Sequence, residues 1–126
     1  MRRLGETLEN LQRVIVSRKG ESTDRSYTSR LLAGGVPKIG AKITEEAGEL
    51  VAAADHESDE RVVCEAADLV YHMLVLLACR DVSCERVESE LARRFGISGL
   101  DEKAARTNTA GQPPAITPSR TDGATP

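Results

Sequence analysis

The chain has 126 residues and a net charge of −3, with hydrophobic residues at 40 % and aromatic ones at only 2 %. Such a length and composition describe one domain whose core is built from Leu, Val, Ile and Ala. The acidic balance, the lack of Trp and the single Phe exclude a phosphate-backbone binder and an aromatic platform for stacking bases, so no nucleic-acid partner is expected.

Three cysteines, Cys64, Cys79 and Cys84, show no C-x-x-C spacing. They read as buried thiols acting as small hydrophobes, in neither a zinc site nor a disulfide. The start, MRRLGETLENLQ, has two arginines but no apolar run after them. Neither a signal peptide nor a membrane span is expected, and the protein is expected in the cytoplasm.

Residues 2–18 place Leu4, Leu8, Leu11 and Ile15 at helical spacing, with polar residues opposite, and predict an amphipathic helix. After the polar RKGESTDRS, a short helix is predicted over 26–32, ended by Gly34-Gly35. Pro37 suits the first turn of the next helix, which is predicted to run to about Asp55 with Ile39, Ile43, Ala47, Leu50 and Ala54 inward. Gly40 and Gly48 each cost this helix roughly 1 kcal/mol against alanine, which suggests close approach of another backbone or a ligand.

A further helix is predicted over 60–80. Its second half, LVYHMLVLLAC, is apolar on nearly every side, the pattern of a buried central helix. Ser83 caps another helix, with Val82 and Val87 as a hydrophobic staple; Val87, Leu91 and Phe95 point inward and Gly96 stops it. Residues 107–126 carry four of the five prolines and one large apolar residue, Ile116, and read as a disordered tail after a folded domain of residues 1–106. No strand alternation occurs, so the fold is expected to be all-α, a small bundle of four to five helices.

Within TEEAGELVAAA, Glu45, Glu46 and Glu49 occupy an arc of roughly 100° bordering the apolar face. Like charges at such spacing repel by about a few tenths of a kcal/mol per pair, and no lysine is interleaved to relieve them. On the next helix Glu65, Asp68 and His72 share one stripe roughly 60° wide amid apolar residues. Two antiparallel helices with a short connection bring these stripes face to face. Five confined carboxylates raise one another's pKa, and a hard divalent cation removes the conflict. Oxygen-only ligands favour Mg²⁺, with Mn²⁺ as a substitute, over zinc or copper, and Mg²⁺ points to phosphate chemistry. The surplus of acids suggests a second ion or a general base for water. A di-iron bundle is excluded, because its Glu-x-x-His pairs fail twice: Leu69 stands three before His72 and Ala53 three before His56.

Lys38 and Lys42 lie one turn apart ahead of the acids, either as phosphate ligands or as solvated surface lysines. His72 is either a hydrogen-bonded core histidine or a partner of the acids, and it joins the substrate-binding candidates. His56 reads as a helix-end residue.

With these residues placed, the stretches SYTSRLLAGGVPKIGAKITEEAGELVAAA, CEAADLVYHMLVLLA and LARRFGISGLDEKAAR resemble the phosphoribosyl-ATP pyrophosphohydrolase family of histidine biosynthesis. The acidic motif is shared with the wider group of all-α nucleoside triphosphate pyrophosphohydrolases. The S-Y-T segment, K-I-x-x-K and D-L-x-Y-H-x-L-V-L-L point to the histidine branch. The resemblance implies Mg²⁺-dependent attack of water between the α and β phosphates, giving phosphoribosyl-AMP and pyrophosphate. It implies metal ligation by Glu46, Glu49, Glu65 and Asp68, with Glu45 or Glu46 as the base and Glu45 free for a second ion or for orienting water. Arg30, Lys103 and Arg106 join Lys38, Lys42 and His72 as substrate-binding candidates, Lys103 and Arg106 only if the C-terminal segment folds over the site.

The chain departs from the family in carrying Thr44 where Gly is common and Gly48 where Ala is frequent, and neither change removes a metal ligand. The resemblance also implies a homodimer, to which the apolar surface of residues 69–77 would contribute, and a stand-alone form without the cyclohydrolase domain fused in some relatives. Two other readings compete: a house-cleaning pyrophosphohydrolase of free nucleoside triphosphates, and a catalytically silent helical dimerisation module. The intact five acids argue against the latter.

Overall fold

A computed structural model of the chain describes residues 3–96. Among these residues there are four helices and no strand: α1 (Glu6–Ser17), α2 (Tyr27–His56), α3 (Asp59–Cys79) and α4 (Cys84–Phe95). The all-α expectation holds. The expected 106/107 boundary, the tail, Lys103 and Arg106 lie outside the described residues. The chain divides after Cys84, so that α1, α2 and α3 form one unit and α4 from Glu85 onward begins another.

The two predicted helices at 26–32 and 37–55 are one element in register but not in backbone. Gly35 sits at φ 73° and ψ −167°, non-helical values that break α2 just ahead of Pro37. Only glycine adopts these angles without strain. Its neighbour Gly34 is needed for another reason: a Cβ there would stand 2.5 Å from Cδ and 2.8 Å from Cβ of Lys38. The Lys38 stem lies across the bare Gly34 backbone. Gly35→Ala is therefore expected to destabilise the fold by about 1–3 kcal/mol, read as a lower urea midpoint with an unchanged m-value.

The start of α2 is fixed by Ser26, whose hydroxyl accepts from the Ser29 amide while Ser29 Oγ accepts from the Ser26 amide at 3.0 Å. This reciprocal arrangement satisfies two amides that would otherwise lack partners. Ser58 caps α3 in the simpler way, accepting from the Arg61 amide at 3.2 Å. Between the caps, the turn after His56 is short enough to lay α3 back along α2, and α1 packs on α3.

The core joins Ile15 of α1, Leu31 and Ile39 of α2, and Leu74, Val75 and Ala78 of α3. Several inward expectations fail at the edges of this core. Leu4 precedes α1 and is fully exposed, and Leu8 is exposed as well. On α2 the buried stripe is Ile39, Glu46 and Ala53, whereas Ala54 faces outward. On α4 no residue is buried, and Leu91 and Phe95 are exposed. The cysteines are not buried thiols: Cys64 is exposed, and Cys79 and Cys84 are half-buried. Among the described residues, and apart from its own helical turns, nothing lies within 4 Å of a Cβ built on Gly40 or Gly48, so no other described backbone approaches either glycine closely.

The second half of α3, expected from its apolarity to be a buried central helix, is buried on one side only. Val63 and Met73 are exposed, and Val70, Tyr71, Leu76 and Leu77 are only half-buried. The two helices packed on it, α1 and α2, cannot cover every side of a helix this apolar. By length and mean hydropathy (21 residues, 1.8) α3 also suits a membrane span, although that stretch includes Glu65 and Asp68. Glu65 is buried against protein, which is the arrangement of a packing helix.

Candidate active site

The stripe that buries α2 passes through Glu46, which is only 6 % exposed and flanked one heptad away by Ile39 and Ala53. Glu46 is thus on the packing face itself, not at its border. Glu65 on α3, 4 % exposed, meets it, while Glu45, Glu49 and Asp68 stand at the open edge. Carboxylate oxygens of Glu45, Glu46 and Glu49 lie within 4.8 Å of one another, and the same holds for Glu46, Glu65 and Asp68. Glu46 belongs to both groups. The five acids expected from the sequence therefore do come together, as two overlapping clusters.

Crowding perturbs the acids in the expected direction. Burial, followed by the Glu65 carboxyl and the charge of Asp68, holds Glu46 above the ordinary carboxylate range. Glu49 is raised as well, first by the close approach of the Glu65 carboxylate and then by partial burial and the other neighbouring acids. Two cations offset part of this charge. Lys42 Nζ is 3.1 Å from Glu45 Oε1 and 3.8 Å from Glu46 Oε2. Arg61 Nη2 pairs with Glu65 Oε2, while its Nε donates to Glu57 Oε1 at 3.4 Å.

The other oxygens of the two buried acids, Oε1 of Glu46 and Oε1 of Glu65, are buried with no hydrogen-bond partner among the described residues. A buried carboxylate oxygen in that condition is costly unless something else supplies the positive charge. All the donors are oxygens, the set preferred by Mg²⁺ and Mn²⁺. The residues present fit a hard divalent cation.

One turn past Asp68, His72 is buried, and both of its ring nitrogens are engaged. Nδ1 lies 2.8 Å from the Asp68 carbonyl oxygen, and Nε2 lies 3.1 Å from the Tyr27 hydroxyl. A carbonyl only accepts, so Nδ1 carries the proton; in the neutral ring Nε2 then accepts from Tyr27. The Tyr27 ring also stacks on Tyr71, centroids 6.3 Å apart, and the Tyr71 hydroxyl bonds Thr28 Oγ1. His72 therefore ties the first turn of α2 to α3 beneath Asp68, the first of the two roles its position allowed. Tyr27→Phe leaves Nε2 without its donor and is expected to lower stability by about 1 kcal/mol, checked by chemical denaturation.

Of the remaining expected residues, Lys38 and Arg30 are exposed on α2. Arg61, Tyr27 and Thr28 were not expected at the site. The i, i+4 spacing of Arg61 and Glu65 was a readable signal. The Tyr27–His72 pair, 45 residues apart, had none.

Comparison with known proteins gives a consistent result. A family profile described as phosphoribosyl-ATP pyrophosphohydrolase matches residues 8–95. The phosphoribosyl-ATP pyrophosphatase of Trichlorobacter lovleyi is 56 % identical over 99 residues, covering 79 % of this chain and 92 % of that protein. The phosphoribosyl-ATP pyrophosphatase of Rhodospirillum rubrum is 52 % identical over 101 residues, covering 80 % and 86 %. A histidine biosynthesis bifunctional protein of Helicobacter hepaticus is 48 % identical over 99 residues, which cover 79 % of this chain and 43 % of that longer protein. The fold and these relatives together define an all-α hydrolase. The chain belongs to the phosphoribosyl-ATP pyrophosphohydrolase family.

Proposed function

We propose that the protein hydrolyses phosphoribosyl-ATP to phosphoribosyl-AMP and pyrophosphate with the help of Mg²⁺. The observation that carries this reading is the pair of buried, unpartnered oxygens on Glu46 and Glu65 at the junction of two carboxylate clusters. Family membership supports the substrate.

In this reading Glu46, Glu49, Glu65 and Asp68 hold the cation, and Mn²⁺ can replace it. Bound Mg²⁺ draws electron density from the phosphate oxygens and so opens phosphorus to attack. Water adds across the α–β anhydride: a new P–O bond forms, the bridging P–O bond breaks and pyrophosphate departs. Glu45, at the solvent edge, or Glu46 accepts the proton that the water gives up. Lys38 and Arg30, exposed on the same helix, supply positive charge to the phosphates.

We place the protein in the cytoplasm and assign it a homodimeric state. Exposed Val36, Val51, Val63 and Met73 are apolar surface for a second copy to cover. Light scattering of the purified chain tests the dimer. A panel of phosphoribosyl-ATP, ATP and deoxynucleoside triphosphates with Mg²⁺ tests the substrate. The expected result is kcat/KM highest for phosphoribosyl-ATP; preference for free deoxynucleotides would assign the chain to nucleotide-pool cleansing instead.

A further inference from the structure

Each of the two buried acids of the site faces a cation one turn earlier on its own helix, Glu65 in a hydrogen bond and Glu46 only at ion-pair range. Lys42, four residues before Glu46, lies 3.8 Å from its Oε2, and Oε1 is left buried and unpartnered. Arg61, four residues before Glu65, pairs with its Oε2, and again Oε1 is left buried and unpartnered. Glu65 thus has one oxygen held by a cation of its own helix and one without a partner among the described residues, while Lys42 donates to Glu45 at 3.1 Å and only neighbours Glu46. Arg61 is braced in turn by Glu57, one turn earlier, at 3.4 Å.

We infer that Arg61 is a positioning residue that orients a metal-binding carboxylate through its outer oxygen. The inference rests on the cation site proposed above. The Arg61 side chain is 53 % exposed but that of Glu65 only 6 %, so loss of Arg61 leaves a buried carboxylate without its partner and lowers stability as well. The effect of Arg61 on metal binding lies in which way Glu65 points. Carboxylates that bind metals are themselves commonly hydrogen-bonded, and loss of such a partner weakens metal binding about 10–100-fold.

Arg61 also has a rival description, as a cation that merely competes with the metal for Glu65. The two descriptions predict opposite signs. Removing a competitor tightens metal binding, whereas removing an orienting partner weakens it. Charge repulsion from an exposed guanidinium is screened strongly at about 0.5 M salt, where the Debye length falls to roughly 4 Å, but orientation is not.

The test is Mn²⁺ binding to the full-length chain by calorimetry in about 0.5 M KCl, comparing wild type, Arg61→Met and Arg61→Lys. Arg61→Met is expected to bind about tenfold more weakly or worse, with metal-free helix content retained and the comparison made at a temperature where both proteins are folded. Arg61→Lys keeps a cation four residues before Glu65, as Lys42 stands to Glu46, and is expected to recover most of the loss. Equal or tighter binding by Arg61→Met overturns the inference, as does an Arg61→Lys protein that binds no better than Arg61→Met. Should Arg61→Met fail to fold, wild-type-like affinity in Arg61→Lys supports the inference, and a tenfold loss there overturns it. Failure of the wild type to bind Mn²⁺ would instead remove the cation site itself.

Discussion

Glu46→Gln is expected to reduce kcat by roughly 10²–10⁴, and at the same time to make the metal-free protein more stable. The first effect follows from position. Glu46 is the member common to both carboxylate clusters, so its loss disturbs metal ligation and proton transfer together. The second follows from electrostatics. Burial, Glu65 and Asp68 all oppose the ionised form, and an amide of the same shape carries no charge to oppose. A functional group retained at a cost in stability is a common feature of active sites. Steady-state kinetics and thermal melts of the same preparation read both effects. An active or a destabilised Glu46→Gln variant would contradict this account of the residue.

The same crowding sets how stability responds to pH and to cations. Glu46 and Glu49 have raised proton affinities in the folded state, so folded chains bind protons that unfolded chains release. Their stabilising contribution is complete below the ordinary carboxylate value of 4.5 and is lost as pH rises through the raised folded values. Glu90 on α4 acts in the opposite sense: Arg93 and Arg94 hold it down to about 2, so its contribution is present above 4.5 and lost as pH falls toward 2. Metal-free protein is therefore expected to be most stable in mild acid and to weaken toward neutrality. A divalent cation at 100 times its dissociation constant adds about 2.7 kcal/mol. For a unit of this size that is roughly 10–20 °C in melting temperature. Melts from pH 4 to 8, with EDTA and with Mg²⁺, check both parts; the Mg²⁺ increment should grow with pH.

Much of this site is legible in the sequence because helices make spacing into geometry. Glu45, Glu46 and Glu49 share a face by periodicity, as do Glu65, Asp68 and His72, and a short turn at 57–58 dictates that the faces meet. The break at Gly35 was legible from Gly34-Gly35 followed by Pro37, since both residue types impose backbone angles locally. What stayed hidden was long-range or depended on rotamers. Tyr27 and His72 are joined by tertiary packing alone. The roles of Arg61 and Lys42 depend on which carboxylate oxygen each side chain reaches, and no spacing rule decides that.

Burial was misjudged wherever apolarity was taken to mean enclosure. The second half of α3 is apolar all round, yet Met73 is exposed and Leu76 and Leu77 are half-covered. Composition shows what a helix can bury, whereas the number of neighbouring helices fixes what it does bury. The same distinction explains Cys64, which lies on the open side of α3, and Leu4, which lies beyond the start of α1.

The central claim is that two facing acidic stripes form a cation-dependent pyrophosphohydrolase site. Phosphorus NMR of wild-type protein incubated with phosphoribosyl-ATP, with Mg²⁺ or with EDTA, tests it most directly. The account predicts phosphoribosyl-AMP and pyrophosphate in equal amounts with Mg²⁺ and intact substrate with EDTA. Release of orthophosphate in place of pyrophosphate, or equal turnover in EDTA, would contradict it.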